Sequence, residues 1–144
     1  MAYINKSKTD DWKTPQVIYK FFMFRNYFDP CPIGADFDGL AISWKNKNFV
    51  NPPYSDLKSW IIKSIEESKK GKEVVLLIPS RTDTKAFEML YKYGCHFYFI
   101  VGRLHFNDDK APAPFPSVLI LLKGDHINRL HYIEKEQLEN NCKQ

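Results

Sequence analysis

The stretch "KEVVLLIP", residues 72–79, constrains the fold of this 144-residue chain more than any other segment. Its apolar run begins after two charged residues, ends at a proline and is too short to cross a bilayer. Such a run is typical of a strand in the middle of a parallel sheet, covered by helices on both faces. The chain is therefore expected to form an α/β sheet.

The segments around this strand alternate between helix-like and strand-like patterns, as an α/β fold requires. Three helices are predicted: one that begins at Thr14-Pro15, one that is capped by Ser55 and stopped by Gly71, and one that ends at Gly94. Further strands are predicted at "NYFDPC", "LAIS" (40–43), "NFV", "CHFYFIV" and "SVLILLKG". The last two form a C-terminal antiparallel hairpin around the proline-bearing loop 107–117.

Size and composition favour one domain over residues 1–144, with ordinary apolar and charged fractions of 44% and 26%. Residues 1–12 are expected to be a loosely held arm, and 133–144 a C-terminal tail with a fraying helix. The first residues lack a secretory signal, so the three cysteines indicate free thiols in a reducing cytoplasm. No histidine pair accompanies a CxxC motif, so no metal site is predicted. Nothing in the sequence indicates an oligomeric state.

The net charge of +4 permits a polyanionic partner but does not demand one. Lysines are frequent between Lys58 and Lys72. They are equally typical of the solvated face of a helix.

The motif "FVNPPYSD", residues 49–56, ends a predicted strand abruptly. Pro52 has a fixed φ and no N–H, and Pro53 forces the residue before it into an extended conformation. The result is a stiff strand-to-helix turn. There the Asn51 side-chain carbonyl and the Pro52 main-chain carbonyl stand beside the Tyr54 ring. A purely structural turn is the alternative.

Two acceptors beside an aromatic ring match the exocyclic NH₂ of a nucleobase. Such an amine is a poor nucleophile, and holding both of its hydrogens on acceptors turns its lone pair out of the ring plane. If the electrophile is a sulfonium methyl group, the rate of the reaction then depends mainly on placing the amine nitrogen and the methyl carbon in line. The base must leave the duplex at a cost of a few kcal/mol. Stacking on Tyr54 could return about 1–3 kcal/mol of this.

Several motifs extend this pattern along residues 10–120: "DDWKTP", "FDPCP", "DGLAISW", "NFVNPPYSD", "VVLLIPSRTDT" and "GRLHF". In this order they resemble the phage DNA N-6-adenine methyltransferase (Dam-type) family. The resemblance implies a Rossmann-like methyltransferase sheet, mostly parallel with helices on both faces. It also implies S-adenosylmethionine as the cofactor and double-stranded DNA as the substrate. The implied location is the host cytoplasm, without association with a membrane.

The resemblance also implies roles for particular residues. Catalysis would fall to the four residues of the "NPPY" motif, Asn51, Pro52, Pro53 and Tyr54. Cofactor binding would fall to Trp12, Thr14, Pro15, Asp29, Pro30, Cys31, Gly34 and Asp38. The family's second glycine is missing from "DPCPIGAD". Asp36 and Asp38 are candidates for the ribose-binding acid, and the alternative is that both are solvated loop carboxylates.

Candidate DNA contacts are Arg81, Arg103 and Lys110. Arg81 stands in "PSRTDT", where Asp83 is expected to cap the following helix.

Two other functions stay open on the residues alone. The first is the same chemistry on another planar amine: cytosine N4, adenine in RNA or a protein glutamine. The second is a DNA-binding relative without catalysis, which the irregular "DPCPIGAD" turn would suit.

Overall fold

The computed structural model describes residues 12–143, so the predicted N-terminal arm lies outside the described residues except for Trp12. Within this part of the chain, five strands and four α-helices occur; helices and strands alternate as far as β3, and β4 and β5 then follow without an intervening α-helix. The strands are β1 (Lys47–Val50), β2 (Glu73–Pro79), β3 (His96–Val101), β4 (Ser117–Leu122) and β5 (Arg129–Glu134). The helices are α1 (Gln16–Phe24), α2 (Leu57–Lys69), α3 (Lys85–Tyr93) and α4 (Lys135–Lys143).

The strands form one sheet in the order β1-β2-β4-β3-β5. β1 is parallel to β2 and β3 is parallel to β5, whereas β4 is antiparallel to both of its neighbours. Four strands therefore run in one direction and β4 runs in the other. The predicted α/β fold is confirmed, with a mostly parallel sheet and an antiparallel β3–β4 hairpin.

Helices cover both faces of the sheet, as predicted. The alternation of side chains along β2 separates two hydrophobic clusters: Val74, Leu76 and Ile78 point to one, and Val75 and Leu77 to the other. α2 and α3 supply the first cluster, and α1 and α4 supply the second. Because β2 is covered on both sides, its sequence is apolar at every position from Val74 to Ile78, which is the pattern that predicted a central strand.

A buried carboxylate joins the end of α2 to the start of β2. The Glu67 side chain is fully buried and forms ion pairs with Lys63 at 3.0 Å and with Lys72. Burial acts to raise the pKa of Glu67, but the hydrogen bonds from Lys72 and Lys63 outweigh it and lower the pKa from 4.5 to about 2.

One predicted strand is reduced to a single bridge, and another is absent. "NYFDPC" contributes a single parallel bridge, in which Phe28 donates to the Lys47 carbonyl at 2.8 Å and accepts from Phe49 at 2.9 Å. The proline that follows at position 30 has no N–H to continue the ladder.

The strand predicted at residues 40–43 is absent, because residues 39–41 form a turn in which backbone groups have local partners. The Leu40 and Ala41 N–H groups donate to the side chain and carbonyl of Asp38.

The helix starts also differ from the predictions. α1 begins at Gln16 with Pro15 in the cap position, so Thr14 is not the cap. α2 follows a short 3₁₀ helix, Tyr54–Asp56, which places Asp56 rather than Ser55 in the cap position. α3 is capped by Thr84 and not by Asp83, since the Thr84 hydroxyl accepts from the Phe87 N–H at 3.3 Å.

The C-terminal elements are more ordered than the sequence indicates. β5 was not predicted because five of its six side chains are exposed and show no alternation of burial. α4 covers most of the expected tail 133–144, and its Leu138 is buried in the cluster that α1 shares. Among the described residues, no helix is long and apolar enough to cross a membrane.

Candidate active site

The "NPPY" motif lies directly at the carboxyl end of β1 and leads into α2. Pro52 and Pro53 are buried, and Pro53 is extended at φ −64° and ψ 127°. The Pro53 carbonyl accepts from the Asp56 N–H at 3.2 Å, which starts the 3₁₀ helix. The turn between strand and helix therefore has the stiff form that two prolines produce.

Three hydrogen bonds orient the Asn51 amide. Its Nδ2 donates to the Trp12 carbonyl at 2.5 Å and to the Thr14 hydroxyl at 3.0 Å. Its Oδ1 accepts from the Tyr54 hydroxyl at 3.1 Å. Because a main-chain carbonyl can only accept, the contact with Trp12 determines which end of the amide is nitrogen. Oδ1 has two lone pairs, and Tyr54 uses one of them.

Tyr54 belongs to an aromatic cluster beside Asn51. Its ring lies 6.5 Å from the Trp12 ring at 18° between planes, and it meets the Phe115 ring edge-on at 5.4 Å. Trp12 in turn contacts the edges of Phe106 and Phe115. Burial raises the pKa of the Tyr54 hydroxyl, so this group remains a proton donor at neutral pH.

A cavity of about 200 Å³ opens next to this cluster. Five residues that the sequence singled out line it: Trp12, Thr14, Asp29, Cys31 and Asn51. Chain segments from before α1, from after Phe28 and from the end of β1 therefore converge. Polar residues after three predicted strands, at 29–39, 51–54 and 80–84, are expected to meet at the carboxyl edge of the sheet. The first two segments do contribute to this cavity, but none of residues 80–84 lines it. Pro15 and Pro30 are buried next to lining residues.

Asp29 is held within the cavity wall. Its carboxylate accepts from the Cys31 N–H at 2.9 Å, which closes the "DPC" turn. The pKa of the neighbouring Tyr19 hydroxyl is raised, first by burial and then by the charge of Asp29 and a hydrogen bond to it. The wall thus carries one acidic side chain beside a phenol.

Two other predicted cofactor residues lie outside the cavity lining. Gly34 is in an exposed turn with φ +75°, and Asp38 accepts from the Leu40 N–H at 3.0 Å. The glycine that allows a close approach is Gly39, which the sequence reasoning missed. A Cβ on Gly39 would stand 1.9 Å from the Pro30 carbonyl oxygen.

The three candidate DNA-contacting residues are all exposed. Arg81 follows the end of β2, and Lys110 lies in the loop between β3 and β4. Arg103 donates to the Ala113 carbonyl at 3.2 Å, so its side chain also ties the two ends of that loop together.

Further residues of the site come from this same loop, 102–116. Phe106 and Phe115 pack on Trp12, and the side chains of Asn107 and Asp108 accept from the backbone N–H groups of Lys13 and Gln16. For Phe115, the sequence offers only a weak indication of a role in the site, an aromatic residue between prolines in "PAPFPS". Nothing local marks Asn107 or Asp108, because their partners are more than 90 residues away.

The family of the chain follows from a family model described as DNA N-6-adenine-methyltransferase (Dam), which matches residues 33–143. The chain belongs to this DNA N-6-adenine-methyltransferase family. The match begins after Trp12, Thr14 and Asp29 and includes the whole "NPPY" motif. The match confirms the DNA N-6-adenine-methyltransferase part of the family resemblance.

Among solved structures, this chain is similar to one described as a predicted O-methyltransferase, protein Atu636 from Agrobacterium tumefaciens. The two share 15% sequence identity at a TM-score of 0.39, over 75% of this chain and 50% of that one. The chain thus spans half the length of that protein, and so remote a likeness has no bearing on which atom is methylated. A comparison with curated proteins finds no match.

Proposed function

We propose that this chain transfers a methyl group from S-adenosylmethionine to the N6 amine of adenine in double-stranded DNA. The observation that carries the proposal is the orientation of the Asn51 amide. Its nitrogen is bound by Trp12 and Thr14, and its oxygen keeps one lone pair beyond the bond from Tyr54. An acceptor held in this way suits a substrate that donates N–H.

The cavity next to Asn51 fits a cofactor with two cationic centres. S-adenosylmethionine, when bound, supplies an electrophilic methyl group on a sulfonium and also carries an ammonium group. Asp29 offers a carboxylate to the ammonium, and the Trp12 ring offers an aromatic face to a cation. Cys31, Pro32 and Ile33 add apolar wall for the rest of the molecule.

The target amine is held by Asn51 Oδ1 and, in this proposal, by the Pro52 carbonyl. With both hydrogens on acceptors, the nitrogen lone pair turns out of the ring plane and toward the methyl group. The three bonds that orient Asn51 reduce the rearrangement needed when the substrate arrives. Pre-organised acceptors of this kind contribute through placement rather than through acid–base strength.

Binding of the flipped base is assigned to the aromatic cluster. Unstacking a base costs a few kcal/mol, and stacking on Tyr54 returns about 1–3 kcal/mol. Tyr54 is kept in place by Trp12 and Phe115, so its ring loses little freedom when a base arrives. Exposed Arg81 and Lys110 are proposed to contact phosphates, which would make activity fall with salt.

The proposal is tested by expressing the chain in a methylation-deficient bacterium and reading base modifications along the genome. We expect N6-methyladenine within a motif of about two to four specified bases, since few side chains can reach base edges. Asn51→Ala should remove the modification and leave folding and cofactor binding intact.

The matched control is Asn46→Ala, at an exposed asparagine just before β1, which should retain full activity. N4-methylcytosine in the genome would refute the substrate. An unmodified genome with intact binding of S-adenosylmethionine would refute DNA as the acceptor.

A further inference from the structure

The loop 102–116 docks onto the start of α1 through two adjacent residues. Asn107 Oδ1 accepts from the Lys13 N–H at 2.8 Å, and the Asn107 N–H donates to the Lys13 carbonyl at 2.8 Å. Asp108 Oδ1 accepts from the Gln16 N–H at 3.2 Å. Both polar groups of the Lys13 backbone are therefore occupied by one residue of the loop.

Asp108 supplies the cap that α1 lacks locally. The cap position of α1 is Pro15, which has no side-chain oxygen, and the Thr14 hydroxyl accepts from Asn51. The first N–H groups of a helix need acceptors, and a carboxylate is favoured there by the helix dipole. The loop thus provides from a distance what Thr14 would provide in an isolated helix.

The docking turn is held in a conformation that few side chains adopt. Asn107 has φ +59° and Asp108 has φ +52°. Asn and Asp are the non-glycine residues that tolerate this region best, and such residues persist where their surroundings hold them. The bonds to Lys13 and Gln16 hold this turn together with a bond inside it, from the Asp109 N–H to the Phe106 carbonyl at 3.1 Å.

The segment that is docked carries the groups that orient Asn51. Lys13 lies between Trp12, whose carbonyl accepts from Asn51, and Thr14, whose hydroxyl does the same. A shift of the Lys13 backbone would move both acceptors together. Trp12 would also lose its place between Phe106 and Phe115 on the same loop.

We propose that Asn107 and Asp108 are positioning residues of the methyl transfer, acting through residues 12–14 on the Asn51 amide. They need touch neither cofactor nor base. The role rests on the proposed function, because it assumes that Asn51 Oδ1 receives the target amine.

The test compares two kinds of substitution at each position. Asn107→Gly and Asp108→Gly remove the acceptor but adopt a positive φ without strain, so the free energy of unfolding should fall only by the cost of a lost cap, about 0.5–2 kcal/mol. Asn107→Asp and Asp108→Asn keep an Oδ1 acceptor. We expect kcat at saturating DNA and cofactor to fall about 10- to 100-fold in the glycine variants, as small misplacements do. The conservative variants should stay within a few-fold of wild type.

Fluorescence quenching by acrylamide gives a readout that does not depend on activity. The chain has three tryptophans, of which Trp44 and Trp60 are only 3% and 4% exposed. Quenching therefore reports mainly on half-buried Trp12. It should increase in the two glycine variants and not in the conservative pair.

A cycle with Thr14→Val completes the test. If Asn107 acts through Thr14, the double variant should lose less activity than the product of the two single losses.

The outcomes separate the two proposals. A wild-type chain that methylates no adenine refutes the proposed function. An active wild type whose glycine variants keep kcat and Trp12 quenching refutes the positioning role. The positioning role is also refuted if kcat falls in all four variants in proportion to the free energy of unfolding that each one loses.

Discussion

Gly39→Ala tests how tightly the "DPC" turn is packed behind the cavity. A Cβ at this position would stand 1.9 Å from the Pro30 carbonyl oxygen and 2.7 Å from an indole carbon of Trp60. Real Cβ atoms essentially never come within 3.0 Å of such atoms, so the Pro30 carbonyl must move by about 1 Å. Trp60 is 4% exposed and has little room to yield. Overpacking of this kind costs about 1–3 kcal/mol, and we expect a loss near the upper end.

The same shift should reach the cavity, because Pro30 lies between Asp29 and Cys31, which line it. We expect the Kd for S-adenosylmethionine to rise at least about tenfold, equivalent to about 1.4 kcal/mol. Urea unfolding measures the first effect and titration calorimetry measures the second.

Gly34→Ala is the matched control, since it lies in the same loop with φ +75° and nothing within 4 Å of an added Cβ. It should lose about 1–2 kcal/mol from its left-handed conformation and leave the Kd unchanged. If Gly39→Ala behaves like Gly34→Ala in both assays, the close approach of Pro30 and Gly39 does not shape the cavity.

Two further predictions concern single side chains. Tyr54→Ala should weaken binding of a flipped base by about 1–3 kcal/mol, whereas Tyr54→Phe keeps the ring and should bind nearly as wild type. Equilibrium binding of duplex DNA measures both, and equal effects would exclude stacking. Because the pKa of Glu67 falls from 4.5 to about 2 on folding, its contribution of roughly 2–4 kcal/mol is present above pH 4.5 and lost toward pH 2. Urea unfolding between pH 7 and pH 2.5 should show this loss in wild type and in the exposed control Glu66→Gln, but not in Glu67→Gln.

Residues whose environment is local could be predicted from the sequence. Neighbouring residues alone predict three features: the apolar strand β2, the amphipathic helices α2 and α3, and the stiff turn at the double proline after β1. The stops at Gly71 and Gly94 are of the same kind, since both glycines have the positive φ that ends a helix.

Features that depend on distant partners could not be predicted in this way. A threonine before a proline has the local signature of a helix cap, yet the Thr14 hydroxyl bonds to Asn51. The acceptor that replaces it comes from Asp108, 92 residues away in the chain. In β5, five of six side chains are exposed, so the strand is held in the sheet by backbone pairing with β3. Backbone pairing leaves no hydrophobic pattern in the sequence of β5.

The position of β4 has a consequence for how the chain folds as it is made. β2 and β3 follow each other in sequence but never pair, because β4 is inserted between them. Until residues 117–122 have left the ribosome, both strands have an unsatisfied edge of backbone N–H and C=O groups. Pairings between distant segments form slowly and leave such edges exposed to other chains in the meantime. A nascent chain stalled before β4 should therefore aggregate, and the emergence of β4 is what joins β2 to β3.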